Sequence, residues 1–164
     1  MKSRIALPGI LLFLSFLILA CNDKIIEPVD ELPAKPVVIK TSVNYNQQSF
    51  NTLFPDTASL NNISNAYSNN YSEELRNRIL DYMKAEVTRL GEDANTFDRI
   101  LDVTGCKSNV GYVLLTYAEK AQYENQEAWV FQLTYGLNFS DFGHSKCFVF
   151  DAVTLDTLTY KQCR

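Results

Sequence analysis

The chain has 164 residues and a formal net charge of −4 at pH 7, from 15 basic and 19 acidic side chains. Hydrophobic residues make up 46% and aromatic residues 12% of the sequence, which excludes an intrinsically disordered chain and predicts one globular domain. The acidic balance argues against a nucleic-acid partner, because binding to phosphate backbones requires clustered lysine and arginine.

The N-terminal segment combines positive charge with a short apolar run. Lys2 and Arg4 precede an apolar stretch over residues 5–19, which ends at Ala20-Cys21. This stretch is shorter than the roughly 20 residues of a membrane span and has the usual length of the apolar region of a signal peptide.

The residues Ile18-Leu19-Ala20-Cys21 resemble the lipobox of bacterial lipoproteins. The resemblance implies that residues 1–20 are a signal peptide and that Cys21 becomes the lipid-bearing, palmitate-carrying N-terminus. The protein would then be anchored in a bacterial cell envelope, with the outer membrane favoured and the side of the membrane left open. Multiple acyl chains give stable anchoring. An ordinary secretory signal and an uncleaved anchor are the alternatives.

The segment after Cys21 predicts a tether that leads into a domain. Residues 21–36 contain three prolines and alternating charges, which favour an extended conformation. The alternating pattern of residues 37–45 predicts a strand, either at the edge of the domain or as a continuation of the tether. We expect a single domain over residues 37–164, best defined over 72–164.

Residues 72–91 form the clearest helical pattern. Ser72 is a suitable N-cap, and Gly91 is a suitable C-terminal stop. The apolar residues lie on one stripe, which we expect to pack on the core: Leu75, Ile79, Tyr82, Met83, Val87 and Leu90. Residues 93–101 are predicted to add one or two helical turns.

From residue 110 the apolar period changes from helical to two, which predicts strands at 110–121, 128–139, 146–153 and 157–163. Their short connections favour antiparallel neighbours. In the second strand Trp129, Phe131 and Leu133 take one face, while Val130, Gln132 and Thr134 take the other. We therefore predict an α+β fold with one main helix packed on a four-stranded, or with residues 37–45 a five-stranded, antiparallel meander.

The predicted architecture is similar to the cystatin and PepSY classes of small domains. Residues 148–154, FVFDAVT, resemble the last hairpin of PepSY domains, although Leu155 stands where that family has a turn glycine. The inhibitory Gln-x-Val-x-Gly loop of cystatins is absent from the turn at residues 123–126. The resemblance therefore implies an architecture and no functional residue.

Three cysteines remain once Cys21 carries lipid: Cys106, Cys147 and Cys163. Oxidising conditions outside the cytoplasm favour one disulfide and one remaining thiol. Cys147 and Cys163 lie symmetrically about Leu155, so a hairpin there would set them opposite each other. Pairs 106–147 and 106–163 remain open, as does the absence of a bond.

The single histidine, His144, lies in a predicted turn. A pair with Cys106 or Cys147 would suit thiol chemistry, whereas the neighbouring Ser140 and Asp141 are too close in sequence to converge as a triad. The cysteines lack the paired spacing of a structural zinc site, and the chain has no phosphate-binding or metalloprotease motif. We therefore predict no catalytic residue, metal or cofactor.

The remaining functional signal is the abundance of tyrosine. We expect the following tyrosines to divide between the core and an exposed sheet face: Tyr112, Tyr117, Tyr123, Tyr135 and Tyr160. The sequence favours a lipid-anchored binding protein without catalytic activity. Its ligand would be an envelope protein, a protease that it inhibits or an extracellular polymer. A small hydrolase or thiol enzyme that uses His144 and a structural accessory of an envelope assembly are the alternatives, and the oligomeric state is left open.

Overall fold

A computed structural model describes residues 32–53, 65–67, 71–104, 112–136 and 143–163 of the chain. The predicted signal peptide, the predicted lipidation site Cys21 and most of the predicted tether lie outside these residues. The described part has an α+β fold. Its elements in chain order are β1 (Val37–Tyr45), α1 (Gln47–Thr52), α2 (Glu73–Arg89), α3 (Ala94–Val103), β2 (Tyr112–Tyr123), β3 (Gln126–Gly136), β4 (His144–Asp151) and β5 (Thr157–Cys163).

The five strands form one sheet in the order β1-β2-β3-β4-β5. Strands β2 to β5 make the predicted antiparallel meander. The expectation of an entirely antiparallel sheet was wrong for β1, which pairs with β2 in parallel. The helices between β1 and β2 carry the chain back to the end of the sheet at which β1 began, so the two strands run in the same direction.

Two turns of the meander use backbone conformations that are uncommon for residues other than glycine. Glu124 and Asn125 both have positive φ angles, 50° and 68°, and form a two-residue hairpin whose twist matches that of β2 and β3. Between β4 and β5, Leu155 has φ 66°. In the same turn the Asp151 carboxylate accepts hydrogen bonds from the backbone N–H groups of Thr154 and Val153, each at 2.7 Å, and these bonds lower the pKa of Asp151.

Helices α2 and α3 pack on one face of the sheet, which we call the helix face, and cover part of it. The Ser72 side chain accepts a hydrogen bond from Leu75 N at 3.0 Å, and Glu73 and Glu74 in the first turn suit the positive end of the helix dipole. Gly91 has φ 78°, as expected for the residue that ends this helix. The helix boundaries predicted from sequence are thus confirmed to within two residues.

The main core lies between these helices and the sheet. The predicted stripe of α2 lies in it: four of its residues are buried there, and Tyr82 and Leu90 pack against it. Phe97 of α3 contacts the rings of Trp129 and Phe131, at centroid distances of 6.2 and 5.6 Å. Leu32 is also buried in this core, so the described end of the predicted tether lies against the domain.

Helix α1 covers part of the opposite face of the sheet. Phe50 of α1 is fully buried and forms a second apolar cluster with residues of β2, β3 and β4: Ala121, Tyr123, Ala128, Val130, Cys147 and Val149. Lys161 of β5 donates hydrogen bonds to the carbonyl groups of Phe50 (2.7 Å), Asn51 (3.1 Å) and Leu53, which satisfies the C-terminal carbonyls of this short helix. Central strand β3 is therefore buried on both faces.

Candidate functional site

The sheet places the two reactive side chains singled out by the sequence on different faces. His144 pairs with Tyr135 and Cys147 pairs with Gln132 in a continuous register of β3 and β4. Side chains alternate along a strand, so His144 lies on the helix face and Cys147 on the opposite face. His144 and Cys147 therefore do not form a thiol–imidazole pair.

The predicted opposition of Cys147 and Cys163 was wrong. Cys147 lies opposite Lys161, and Cys163 lies opposite Ser145, because the pairing of β4 with β5 is centred on Thr154 and not on Leu155. Cys147 is a buried thiol in this structure. Cys106 and the side chain of Cys163 lie outside the described residues, so the disulfide pairing remains a prediction.

A group of aromatic and polar side chains, three of them exposed and three half-buried, lies on the helix face of β3, β4 and β5. Helix α2 packs on β1 and β2, and α3 reaches β3 through Phe97, so the described helices lie over the other half of this face. The register places six side chains together in three rows across the strands. We call this group the aromatic surface: Tyr135, His144, Lys146, Gln162, Phe148 and Tyr160.

One half of the aromatic surface is a stack of rings that begins in the core. Phe131 and Phe150 are buried with their centroids 6.0 Å apart, and Phe148 stacks on Phe150 at 5.8 Å. Tyr160 stacks on Phe148 at 6.2 Å with 27° between the ring planes. Tyr160 is nevertheless 67% exposed. One face of the Tyr160 ring therefore packs on Phe148, and the rest of the side chain is exposed to solvent.

The other half of the surface is built around Tyr135. The Lys146 ammonium lies 4.8 Å from the centroid of this ring, a favourable cation–π arrangement, and the His144 ring lies 5.8 Å from it. Gln162 donates a hydrogen bond from Nε2 to the Tyr135 hydroxyl at 3.1 Å. Lys146 and Gln162 face each other across β4 and β5, between the two ring groups.

The aromatic surface differs in charge from the chain as a whole. Its six side chains include one lysine and one histidine and no carboxylate, in a chain of net charge −4. Glu127, on the same face of β3, lies eight residues from Tyr135, about 27 Å along the strand, and pairs with Lys120 at 3.1 Å. The surface therefore favours contact with an anionic partner.

A second polar cluster lies on the opposite face, and its side chains form hydrogen bonds with one another. Glu119 is 1% exposed. Its carboxylate accepts hydrogen bonds from Thr41 Oγ1 at 2.6 Å, from Tyr117 Oη at 2.7 Å and from Tyr45 Oη at 3.0 Å. Burial raises the pKa of both tyrosines, and the neighbouring negative charge of Glu119 raises it further. These bonds join β1 to β2, which indicates a structural role.

The five tyrosines expected to divide between core and surface do so where the structure describes them. Tyr123 is buried and donates to Gln47 Oε1 at 3.1 Å, and Tyr117 bonds Glu119 on the opposite face. Tyr135 and Tyr160 belong to the aromatic surface, and the Tyr112 side chain lies outside the described residues. The sequence reasoning missed Lys146 and Phe148, although their alternation with the buried Cys147 and Val149 is the signal that would have placed them beside Tyr160.

The described residues include no cluster of His, Cys, Asp and Glu side chains able to hold a metal ion. Within the same residues, no helix is both long and apolar enough to cross a membrane. No known protein family, characterised protein or solved structure matches this chain.

Proposed function

We propose that this protein is a lipid-anchored binding protein of a bacterial cell envelope, without catalytic activity, and that the aromatic surface contacts its ligand. The observation that carries the proposal is Tyr160, which is 67% exposed although its ring stacks on Phe148. A rigid tyrosine provides a large contact area at low entropic cost, and residues of this type dominate binding energies.

The preorganisation of the ring stack supports this proposal. Phe148 lies between the exposed Tyr160 and the buried Phe150, so binding does not have to order the Tyr160 side chain from a free state. The polar side chains beside it, Lys146 and Gln162, supply hydrogen-bond donors. A surface that needs little reorganisation retains more of its contact energy as affinity.

The anchor and the domain have separate roles in this proposal. The lipid on Cys21 would retain the protein at the membrane, and the polar segment up to residue 31 would separate the domain from the lipid headgroups. Replacement of Cys21 by serine should abolish labelling of the protein by radioactive palmitate and release it from the membrane fraction. Unchanged labelling would contradict the lipoprotein assignment.

We further propose that the domain has a PepSY-like or cystatin-like architecture. The backbone at Leu155 supports it, because φ 66° is the conformation for which a turn glycine is suited, at the position where PepSY domains carry glycine. Leu155 is buried in the main core, which offsets the cost of the left-handed backbone. The parallel pairing of β1 with β2 is a feature that the resemblance did not lead us to expect.

Cross-linking in intact cell envelopes tests the binding role. A photoreactive cross-linker on the full-length protein should capture a ligand, whether protein or polymer, as a species of lower electrophoretic mobility, and Tyr160→Ala should deplete this cross-linked complex. Val153→Ala is the matched control, because Val153 is 80% exposed in the turn of the same hairpin but lies away from the aromatic surface. Equal yields from the wild-type protein and Tyr160→Ala would contradict a role for this surface.

A further inference from the structure

The arrangement of polar and aromatic groups on the aromatic surface identifies a class of ligand, and the argument rests on the proposed binding function. The outer rows are aromatic: Tyr135 with His144 at one side, and Phe148 with Tyr160 at the other. The row between them is polar and carries Lys146 and Gln162. His144 and Phe148 are four positions apart along β4, so the outer rows are about 13 Å apart.

This arrangement, with polar side chains at the centre and aromatic rings outside, is the reverse of the arrangement in a protein–protein interface. Such interfaces have a desolvated apolar centre and a polar rim, and lysine is depleted in them. Here the lysine and the amide lie at the centre, and the rings flank them. A protein partner would have to bury the Lys146 ammonium in the middle of the contact, at a desolvation cost that only a buried carboxylate could offset.

A linear polysaccharide that carries carboxylate groups fits this order. The flat C–H faces of sugar rings pack on aromatic rings, and Tyr160 offers an open ring face that is held by Phe148. Sugar hydroxyl and carboxylate groups would lie over the central row, where Gln162 and Lys146 donate hydrogen bonds. The 13 Å between the ring rows spans more than one sugar ring, which favours a polymer over a free monosaccharide.

The positive charge of the aromatic surface favours an acidic polymer over a neutral one. Lys146 provides a positive charge, and none of the six side chains is acidic. A single lysine is insufficient for the phosphate backbone of a nucleic acid, whose binding requires several cationic contacts. We propose that the aromatic surface binds an acidic polysaccharide, with Tyr160 as the stacking residue and Lys146 as the partner of a sugar carboxylate.

Calorimetric titration of the full-length protein in detergent micelles tests the assignment. The probes are an alginate hexasaccharide and, as its neutral counterpart, a cellulose hexasaccharide. We expect saturable binding of the alginate probe that weakens as salt is added, and weaker binding of the neutral probe. Tyr160→Ala should raise the Kd for alginate about ten-fold or more, and Val153→Ala should leave it unchanged.

Lys146→Gln separates charge recognition from stacking. This variant should bind both hexasaccharides with similar Kd, because it keeps the ring stack and loses the cation. Its circular dichroism spectrum and melting temperature should match those of the wild-type protein, which shows that the fold is intact.

Three outcomes would overturn the assignment: a folded wild-type protein that binds neither probe, a preference for the neutral probe, or an acidic peptide such as polyglutamate that binds more tightly than alginate. The last outcome would indicate an acidic protein partner. These outcomes leave the proposed binding function intact if Tyr160→Ala still depletes the cross-linked complex in envelopes, so the two failures are distinguishable.

Discussion

The hydrogen bonds to the Glu119 carboxylate are expected to stabilise the pairing of β1 with the meander, and their contribution can be measured. Tyr117 Oη donates to it at 2.7 Å, and Tyr45 Oη donates to the same oxygen at 3.0 Å. A hydrogen bond to a charged acceptor contributes about 1.5–3 kcal/mol when its partner is buried. The Tyr117 ring is partly exposed and Tyr45 remains after the change, so we expect Tyr117→Phe to cost about 1.5 kcal/mol of the free energy of unfolding.

Urea unfolding followed by fluorescence measures this cost. Trp129 of β3 is the only tryptophan, and it is buried against Phe97 of α3, so its emission reports on the main core. If the dependence of the free energy of unfolding on urea concentration is unchanged, the urea midpoint should fall by an amount that corresponds to about 1.5 kcal/mol. Tyr160→Phe is the matched control, because its hydroxyl belongs to a residue that is 67% exposed, and it should change the stability by less than about 0.5 kcal/mol.

A double-mutant cycle with Glu119→Gln tests whether the charge is the cause. In the glutamine background the hydroxyl of Tyr117 donates to a neutral acceptor, so its removal should cost only about 0.5–1 kcal/mol. The reasoning would be refuted if Tyr117→Phe were as stable as Tyr160→Phe, or if it lost the same free energy with and without the Glu119 charge.

Three further predictions concern stability. Burial and Glu119 raise the pKa of the two tyrosines that donate to this carboxylate, so the stability they contribute is complete below pH 10 and is lost as the pH rises above 10. The free energy of unfolding should fall by at most about 1.4 kcal/mol per pH unit for each tyrosine, because each releases one proton. Urea unfolding between pH 9 and 11 measures this slope, and a flat profile would contradict it. Phe50→Ala should cost about 3–5 kcal/mol of unfolding free energy in urea titrations, whereas the exposed Asn51→Ala should cost under about 0.5 kcal/mol; equal effects would show that α1 does not seal the opposite face. Gln132 is fully buried and, within the described part of the chain, its amide atoms have no hydrogen-bond partner. Gln132→Met should therefore raise the free energy of unfolding in urea titrations by about 1 kcal/mol, while the exposed Gln122→Met leaves it unchanged; a lower free energy for Gln132→Met would show that the amide is satisfied in solution.

The aromatic surface was only partly predictable, because its composition depends on the pairing of strands. The sequence placed Tyr135 and Tyr160 among the tyrosines expected to divide between core and surface. It did not place Lys146 and Gln162 in the row between them, since that neighbourhood follows from the register of β4 with β3 and β5. Register depends on contacts between distant residues, and a local pattern of alternation does not specify it.

The sequence by itself determined the local structure. Ser72, the apolar stripe and Gly91 define α2, and the period-two patterns define the strands of the meander, because capping and periodicity act within a few residues. Only the tertiary structure decided that β1 pairs in parallel with β2, that Phe50 covers the opposite face and that Cys147 lies opposite Lys161. The physical reason is that helix and strand signals are read along the chain, whereas the partner of a strand, its register and the cover of each face are set by burial of apolar surface between segments far apart in sequence.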